Sequence, residues 1–457
     1  MAELQAQQVG IGWRPELAAD LLRQPHALDF IEVVAESCFV STQAWREAVA
    51  LRELWPVVPH GVKLSLGSAE GIEREHARRL GRLARELRAP VVSEHVAFVR
   101  SGGVEVGHLT PVPRSREAVR VIARNVAQAR RFLPDVPLLL ENIACTLRWP
   151  AGPDDIVDEG LFYADVVEAT GCGLLLDLGN LLANARNANV DPHVALTSFP
   201  LEAVAMIHIA GGREIDGYWF DTHADPVGEA VFDLLSEVFA RIGPRPTLLE
   251  RDDAFPSTSE LLEELARSRA IAAERPGTTP CAAMGGPRHM ESDGVGSFNV
   301  LACAQTRLAA LIIGDGPASA SGVASDEVAR TRMVLQRKRI EAALPLLPRT
   351  TRGGRAAAAI AERTLKGRPR APTLSWIADA WAIAAAACDE PALADGARID
   401  QLELSARFVG PDRTGGFRPR WMPFVGHAVL TGGSKVWIFK GPGASARVHF
   451  RETRGQQ

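Results

Sequence analysis

The sequence predicts an α/β fold: a TIM-type (β/α)8 barrel over residues 1–273, a linker over 274–296, and a smaller α+β domain over 297–457. Three observations carry this expectation. A short apolar run followed by a charged, Ala-rich amphipathic stretch recurs through the barrel region, at intervals of roughly 30–45 residues, the spacing of βα units. The runs are continuously apolar rather than alternating, as strands covered on both faces must be. A His, Asp or Glu stands at the end of nearly every run. That suits a closed ring of strand ends better than a doubly wound sheet with one switch point.

The runs, in order, are VGIGW (9–13), LDFIEVV (28–34), VVPHGVKLSL (57–66), VVSEHVAFV (91–99), PLLLENI (137–143), GLLLDLGN (173–180), AVAMIHIAG (203–211) and TLLERDD (247–253). Between them, stretches such as IEREHARRLGRLARELR (72–88) and REAVRVIARNVAQARRFL (116–133) repeat apolar residues every three to four positions, the helical period. Residues 274–296 are rich in Gly, Pro and small residues and read as a linker. Beyond them, 306–315, 325–348 and 373–389 read as helices. QLELSARFV (401–409), HAVLTGG (427–433), KVWIFKG (435–441) and SARVHFRE (445–452) read as short strands.

Composition narrows the function. A formal net charge of −4, with Arg interleaved among Glu and Ala, predicts no nucleic-acid partner. No clean apolar stretch approaches 18 residues, and MAELQAQQVGIGW lacks the basic-then-apolar pattern of a signal peptide. The expectation is a cytoplasmic protein with no membrane association. Six scattered cysteines, none in a CxxC pair, read as free thiols in a reducing compartment. The glycine-rich GSAEG (67–71) and IAGGRE (209–214) match no nucleotide-binding pattern.

The chemistry lies at the strand ends. His60, His95, Glu141, Asp177, His208 and Glu250 end or follow the runs, and Asp221 and His223 come from DTH (221–223). In a barrel these gather at one mouth. A buried carboxylate without a partner costs several kcal/mol, and close carboxylates raise one another's pKa. Cations remove both penalties. Mixed imidazole and carboxylate ligands without thiolate suit Fe, Mn or Zn. Each residue alone also has an ordinary structural reading, as a satisfied core histidine or, for Glu250, a partner of Arg251. His26, His76, His108 and His193 are read that way.

Together HGVKLSLG (60–67), SEH (93–95), LLLENI (138–143), LLLDLGN (174–180), MIHIAGG (206–212), DTHADPV (221–227) and LLERDD (248–253) resemble the DUF692 family, the multinuclear non-haem iron-dependent oxidative enzymes, one of which acts in methanobactin biosynthesis. The resemblance covers about residues 8–268. It implies a barrel holding two to three iron ions that uses dioxygen to modify cysteine in a ribosomally made precursor peptide. Carried over by position, His60 and His95 bind one iron and Glu141 bridges. Asp177, His208 and Glu250 surround a second iron, and Asp221 and His223 serve a third. Asn180 stands where some members have histidine, which makes it a weak ligand. Glu36 lies where the family tends to have ENY, so the rim differs. Small partner proteins recruit the peptide in this family, and residues 297–457 are expected to do so in cis. Two other functions fit the residues: a divalent-metal-dependent isomerase or endonuclease on a TIM barrel, and a non-catalytic peptide- or partner-binding protein.

Overall fold

Eight parallel strands close into a barrel and follow one another round the ring in chain order: β1 (Val9–Gly12), β2 (Phe30–Val34), β3 (Val57–Gly61), β4 (Val92–His95), β5 (Leu138–Glu141), β6 (Gly173–Asp177), β7 (Val204–Ile209) and β8 (Thr247–Leu249). The computed structural model describes residues 4–275 except 151, 153 and 154, residues 296–314, and residues 322–453 except 369, 372, 373, 414, 444 and 445. The expected linker at 274–296 falls, apart from its ends, outside the described residues. The chain divides into two compact units: Met1–Gly102 with Leu109–Gln305, and Gly103–His108 with Thr306–Gln457.

Helices return the chain from one strand to the next. They include Arg74–Leu87 after β3, Arg116–Arg130 after β4, Glu159–Thr170 after β5 and Glu229–Ile242 after β7. Their starts carry local signals. The Ser115 and Asp158 side chains accept from the backbone N–H three residues on, and Ser257 forms a capping box with Glu260. Gly171 ends its helix with φ 62°, a left-handed conformation that costs glycine nothing.

The barrel interior explains where the site lies. Phe30, Val58, Val91, Leu139, Leu175, Met206 and Leu248 form one buried cluster, a floor drawn from six strands and, in Val91, the residue that leads into β4. Each such burial contributes roughly 1.5–3 kcal/mol. The eighth strand, β1, gives way to its neighbour: a Cβ on Gly10 would lie 2.7 Å from the Phe30 carbonyl oxygen and 2.8 Å from its ring. Side chains on a strand return to the same face every second residue. Two positions above the floor therefore stand Glu32, His60, Ser93, Glu141, Asp177, His208 and Glu250, all buried. Pairing sets neighbours side by side, with His95 opposite Glu141 and Asp177 opposite His208.

Two runs are interrupted. β4 stops at His95, and Phe98 begins a separate strand, Phe98–Ser101. After β7 the chain makes an antiparallel hairpin, Gly212–Ile215 with Tyr218–Asp221, so Asp221 and His223 reach the mouth from an insertion and not from a barrel strand.

In the second unit, helices Ser325–Ala343, Arg355–Leu365, Ser375–Ala387 and Ala394–Arg407 share a core that includes Ala343, Ala361, Leu365, Ala380, Ile383 and Leu404. An antiparallel three-stranded sheet follows: Phe424–Val429, Lys435–Lys440 and Val448–Thr453. The expected strand at 401–409 is corrected. Gln401–Arg407 completes a helix and only Phe408–Val409 is extended. Gln, Leu, Glu, Ala and Arg are strong helix formers, and the helical turn buries Ala397, Asp400 and Leu404 on one side.

Candidate metal centre

Three sets of ligand-type atoms lie within 4.8 Å of one another at the mouth: His60, His95 and Glu141; Glu141, Asp177, His208 and Glu250; and Glu32, His60 and Glu250. Glu141 belongs to two of them. Its Oε2 is 3.4 Å from Nε2 of both His60 and His95, and its Oε1 is 3.4 Å from His208 Nδ1. His208 Nδ1 is also 3.5 Å from Glu250 Oε2, and His208 Nε2 is 3.3 Å from Glu32 Oε2.

The imidazoles are aimed by their other nitrogens. His95 Nδ1 lies 3.2 Å from the Gly61 carbonyl, which only accepts, so the proton sits there and the Nε2 lone pair turns to Glu141. His60 Nδ1 is held 2.8 Å from Ser93 Oγ. A neutral imidazole lone pair facing a carboxylate oxygen at 3.4 Å is repulsive unless a cation lies between them. The neighbouring atoms agree. Glu32 Oε2, Glu141 Oε2, Asp177 Oδ2 and both ring nitrogens of His208 are buried and find no hydrogen bond among the described residues. Such atoms need a partner. A multi-metal site would supply one to the carboxylate oxygens and to one nitrogen of His208, the other nitrogen keeping its proton, and the absence of thiolate ligands suits the harder first-row ions.

Electrostatics gives the same picture. Burial, then Asp221 and Glu141, push Asp177 well above the usual carboxylate range. Burial depresses His208, but Glu32, Glu250 and Glu141 outweigh it and hold the imidazole well above its ordinary value. Burial raises Glu250, yet His208 and His223 hold it well below. Without a metal, protonated histidines carry the positive charge that these carboxylates require.

Residues 8–273 match the family described as RiPP precursor modification enzyme MbnB/TglH/ChrH. The chain belongs to that family. Among curated relatives, a UPF0276 protein of Streptomyces avermitilis is 44% identical over 268 residues, covering 57% of this chain and 54% of that protein. A UPF0276 protein of Chromobacterium violaceum is 37% identical over 262 residues, covering 57% of this chain and 94% of that one. The chain thus spans about half the length of the Streptomyces relative. Among solved structures, endonuclease IV from Thermus thermophilus is 19% identical with a TM-score of 0.37, covering 58% of this chain and 99% of that one. It bears on no point of the chemistry.

The remaining residues of this barrel form the rim and the support. His223, at φ 51°, pairs closely with Asp221 and lies 3.3 Å from Glu250 Oε2. Asp221 and His223 thus adjoin the centre through Glu250 but join none of the three sets. The Asn180 amide donates to the Asn142 carbonyl at 2.9 Å, which leaves Oδ1 as its one ligand atom. Its backbone N–H donates to Asp177 Oδ1 at 2.6 Å, so Asp177 both caps its helix and keeps Oδ2 for the centre. Glu36 accepts from the Val62 and Lys63 backbone and pairs with His76 at 2.7 Å; His193 pairs with Glu237.

Two carboxylates escaped the sequence reading. Glu32 stands in the ring itself. Glu94 lies behind it, accepting from Leu64 N at 3.1 Å and His95 N at 3.0 Å, in space that exists because residue 61 is glycine. Glu32 had a usable signal, its inward register two residues past Phe30. Glu94 faces away from that register, and its role needs coordinates.

Proposed function

We propose that this chain catalyses iron- and dioxygen-dependent oxidative modification of cysteine in a ribosomally synthesised precursor peptide. The observation that carries the reading is the shared Glu141, common to the His60/His95 set and the Asp177/His208/Glu250 set. In this reading Glu141 would serve two ions. His60 and His95 would hold the first; Asp177, His208 and Glu250 would hold the second. Asp221 and His223, with Asn180 as a weak ligand, would serve a third, loosely held position. When bound, iron would supply a Lewis-acid site for the soft substrate thiolate and the electrons that reduce dioxygen.

The chain's own residues position and insulate. Ser93 and the Gly61 carbonyl fix the His60 and His95 rings. The apolar floor from Phe30 to Leu248 closes the barrel beneath the centre, so the thiolate approaches from the mouth. Residues 297–457 are assigned to peptide recruitment in cis, which raises the effective concentration of substrate at the mouth. Their charge supports this: residues 306–457 hold 23 Lys and Arg against 13 Asp and Glu, which favours an acidic peptide segment. Among the described residues no helix is long and apolar enough to cross a membrane.

The test is elemental analysis of protein purified without oxygen, beside a His208→Ala, Glu250→Ala double variant. About two to three irons per chain are expected for a site of this ligand number, with clear loss in the variant. Zinc or manganese alone, unchanged by iron supplementation, overturns the oxidative reading. No metal at all removes the centre.

A further inference from the structure

We propose that the cavity beside Asp221 is a subsite for an apolar, preferably aromatic, side chain of the substrate peptide, adjacent to the residue held at the centre. This rests on the peptide-modifying reading above. The cavity has a volume of about 400 Å³ and lies between helix Leu178–Asn187, the Gly212–Asp221 hairpin and the first turn of helix Glu229–Ile242. Leu182, Ala210, Trp219 and Val231 give it apolar walls. Asp221 lines it too, and that carboxylate pairs with His223, itself 3.3 Å from Glu250. Whatever fills the cavity is therefore a neighbour of the metal centre. Asp221 Oδ1 is buried and finds no hydrogen bond among the described residues.

Trp219 is held as a platform. The Asn187 side chain donates to its carbonyl at 2.8 Å and accepts from its N–H at 2.8 Å, as a paired strand would. The Arg186 guanidinium covers its ring at 3.9 Å. Next door, the Tyr218 hydroxyl donates to the Cys145 carbonyl at 2.6 Å. An aromatic face fixed before binding loses little entropy when a side chain packs on it. The charges at the rim already have partners: Arg186 lies over Trp219, Glu229 pairs with Arg267, and Arg267 also attracts Asp233. Apart from the Asp221 carboxylate, which pairs with His223, what the cavity has left to offer is apolar surface.

The experiment uses the full, iron-loaded chain under anaerobic conditions, titrated with N-acetyl-Cys-Phe-amide, N-acetyl-Cys-Ala-amide and N-acetyl-Ser-Phe-amide. Emission from Trp219 is read as the difference between the parent and Trp219→Phe, and affinity by calorimetry. The Phe probe is expected to bind about ten-fold more tightly than the Ala probe, the effect of burying one large apolar side chain. Ala230→Trp, which fills the cavity from the opposite wall and leaves the hairpin untouched, is expected to abolish that advantage with iron content unchanged. Equal affinity for the two Cys probes, an advantage that survives Ala230→Trp, or no Trp219 response to either Phe probe overturns the proposal. The thiolate reading fails separately, when Cys-Phe and Ser-Phe probes bind alike and no thiol-dependent absorption appears.

Discussion

Glu32 sits on the strand beside His60, two positions beyond a floor residue, with one carboxylate oxygen 3.3 Å from His208. Replacing it by glutamine keeps the shape and removes one negative charge from the ring. We expect Glu32→Gln to weaken metal retention about 10- to 100-fold, the range seen when residues that support metal ligands are changed. Titration with a competing chelator measures this, and unchanged retention would remove Glu32 from the centre. Cysteine reactivity gives a second residue-scale prediction. Burial, then Glu36 and Glu47, push the Cys38 thiol up to about 11. At about pH 8 its thiolate fraction is on the order of 0.1%, and the thiolate is the nucleophile. Iodoacetamide is expected to label exposed Cys303 well before Cys38, as read by peptide mass mapping. Most of the candidate centre was legible at this scale, because a polar residue ending an apolar run is costly and so conspicuous. Glu32 was not, because it lies inside LDFIEVV and a lone Glu there reads as an interruption. Reading its register against Phe30 would have found it.

Elements show where local preference yields to packing. Gly81 lies inside helix Arg74–Leu87, where propensity alone favours alanine by about 1 kcal/mol. A Cβ there would stand 1.9 Å from the Phe132 carbonyl oxygen, a backbone atom that cannot swing aside. Gly81→Ala is therefore expected to destabilise the fold, by about 1–3 kcal/mol, as overpacking does. Urea unfolding measures it, and a gain in stability would show that the two segments separate freely. The same competition explains what the sequence misled about. Gln401–Arg407 alternates like a strand, but its residues favour helix and bury Leu404 on the helical face. Barrel strands were legible because burial on both faces leaves an unbroken apolar run. The strands of the hairpin carrying Asp221 have half-buried and exposed residues but no fully buried one, and write no such signal.

At the scale of the molecule, the formal charge of −4 conceals an asymmetry. Residues 1–305 carry 42 Asp and Glu against 28 Lys and Arg, whereas residues 306–457 carry 13 against 23. Counting the chain as one body hid this, and the composition-based expectation of no nucleic-acid partner rests on that average. Each unit also has its own core, one around Phe30 and Leu248, the other around Ile383 and Leu404. Separate cores predict separate unfolding steps. Among the described residues, all three groups of candidate metal ligands lie in the barrel, so only its step should respond to metal. A ligand present at about a thousand times its dissociation constant stabilises by about 4 kcal/mol. For a unit of this size that is about 10 °C in Tm. Calorimetry of metal-loaded and chelator-treated protein should show two transitions, one falling by about that much and the other unmoved. A single transition that shifts as a whole would mean that the two units unfold together. A pair that both ignore the chelator would mean that histidine protonation alone balances the carboxylate ring, leaving the mouth of the barrel without need of a cation.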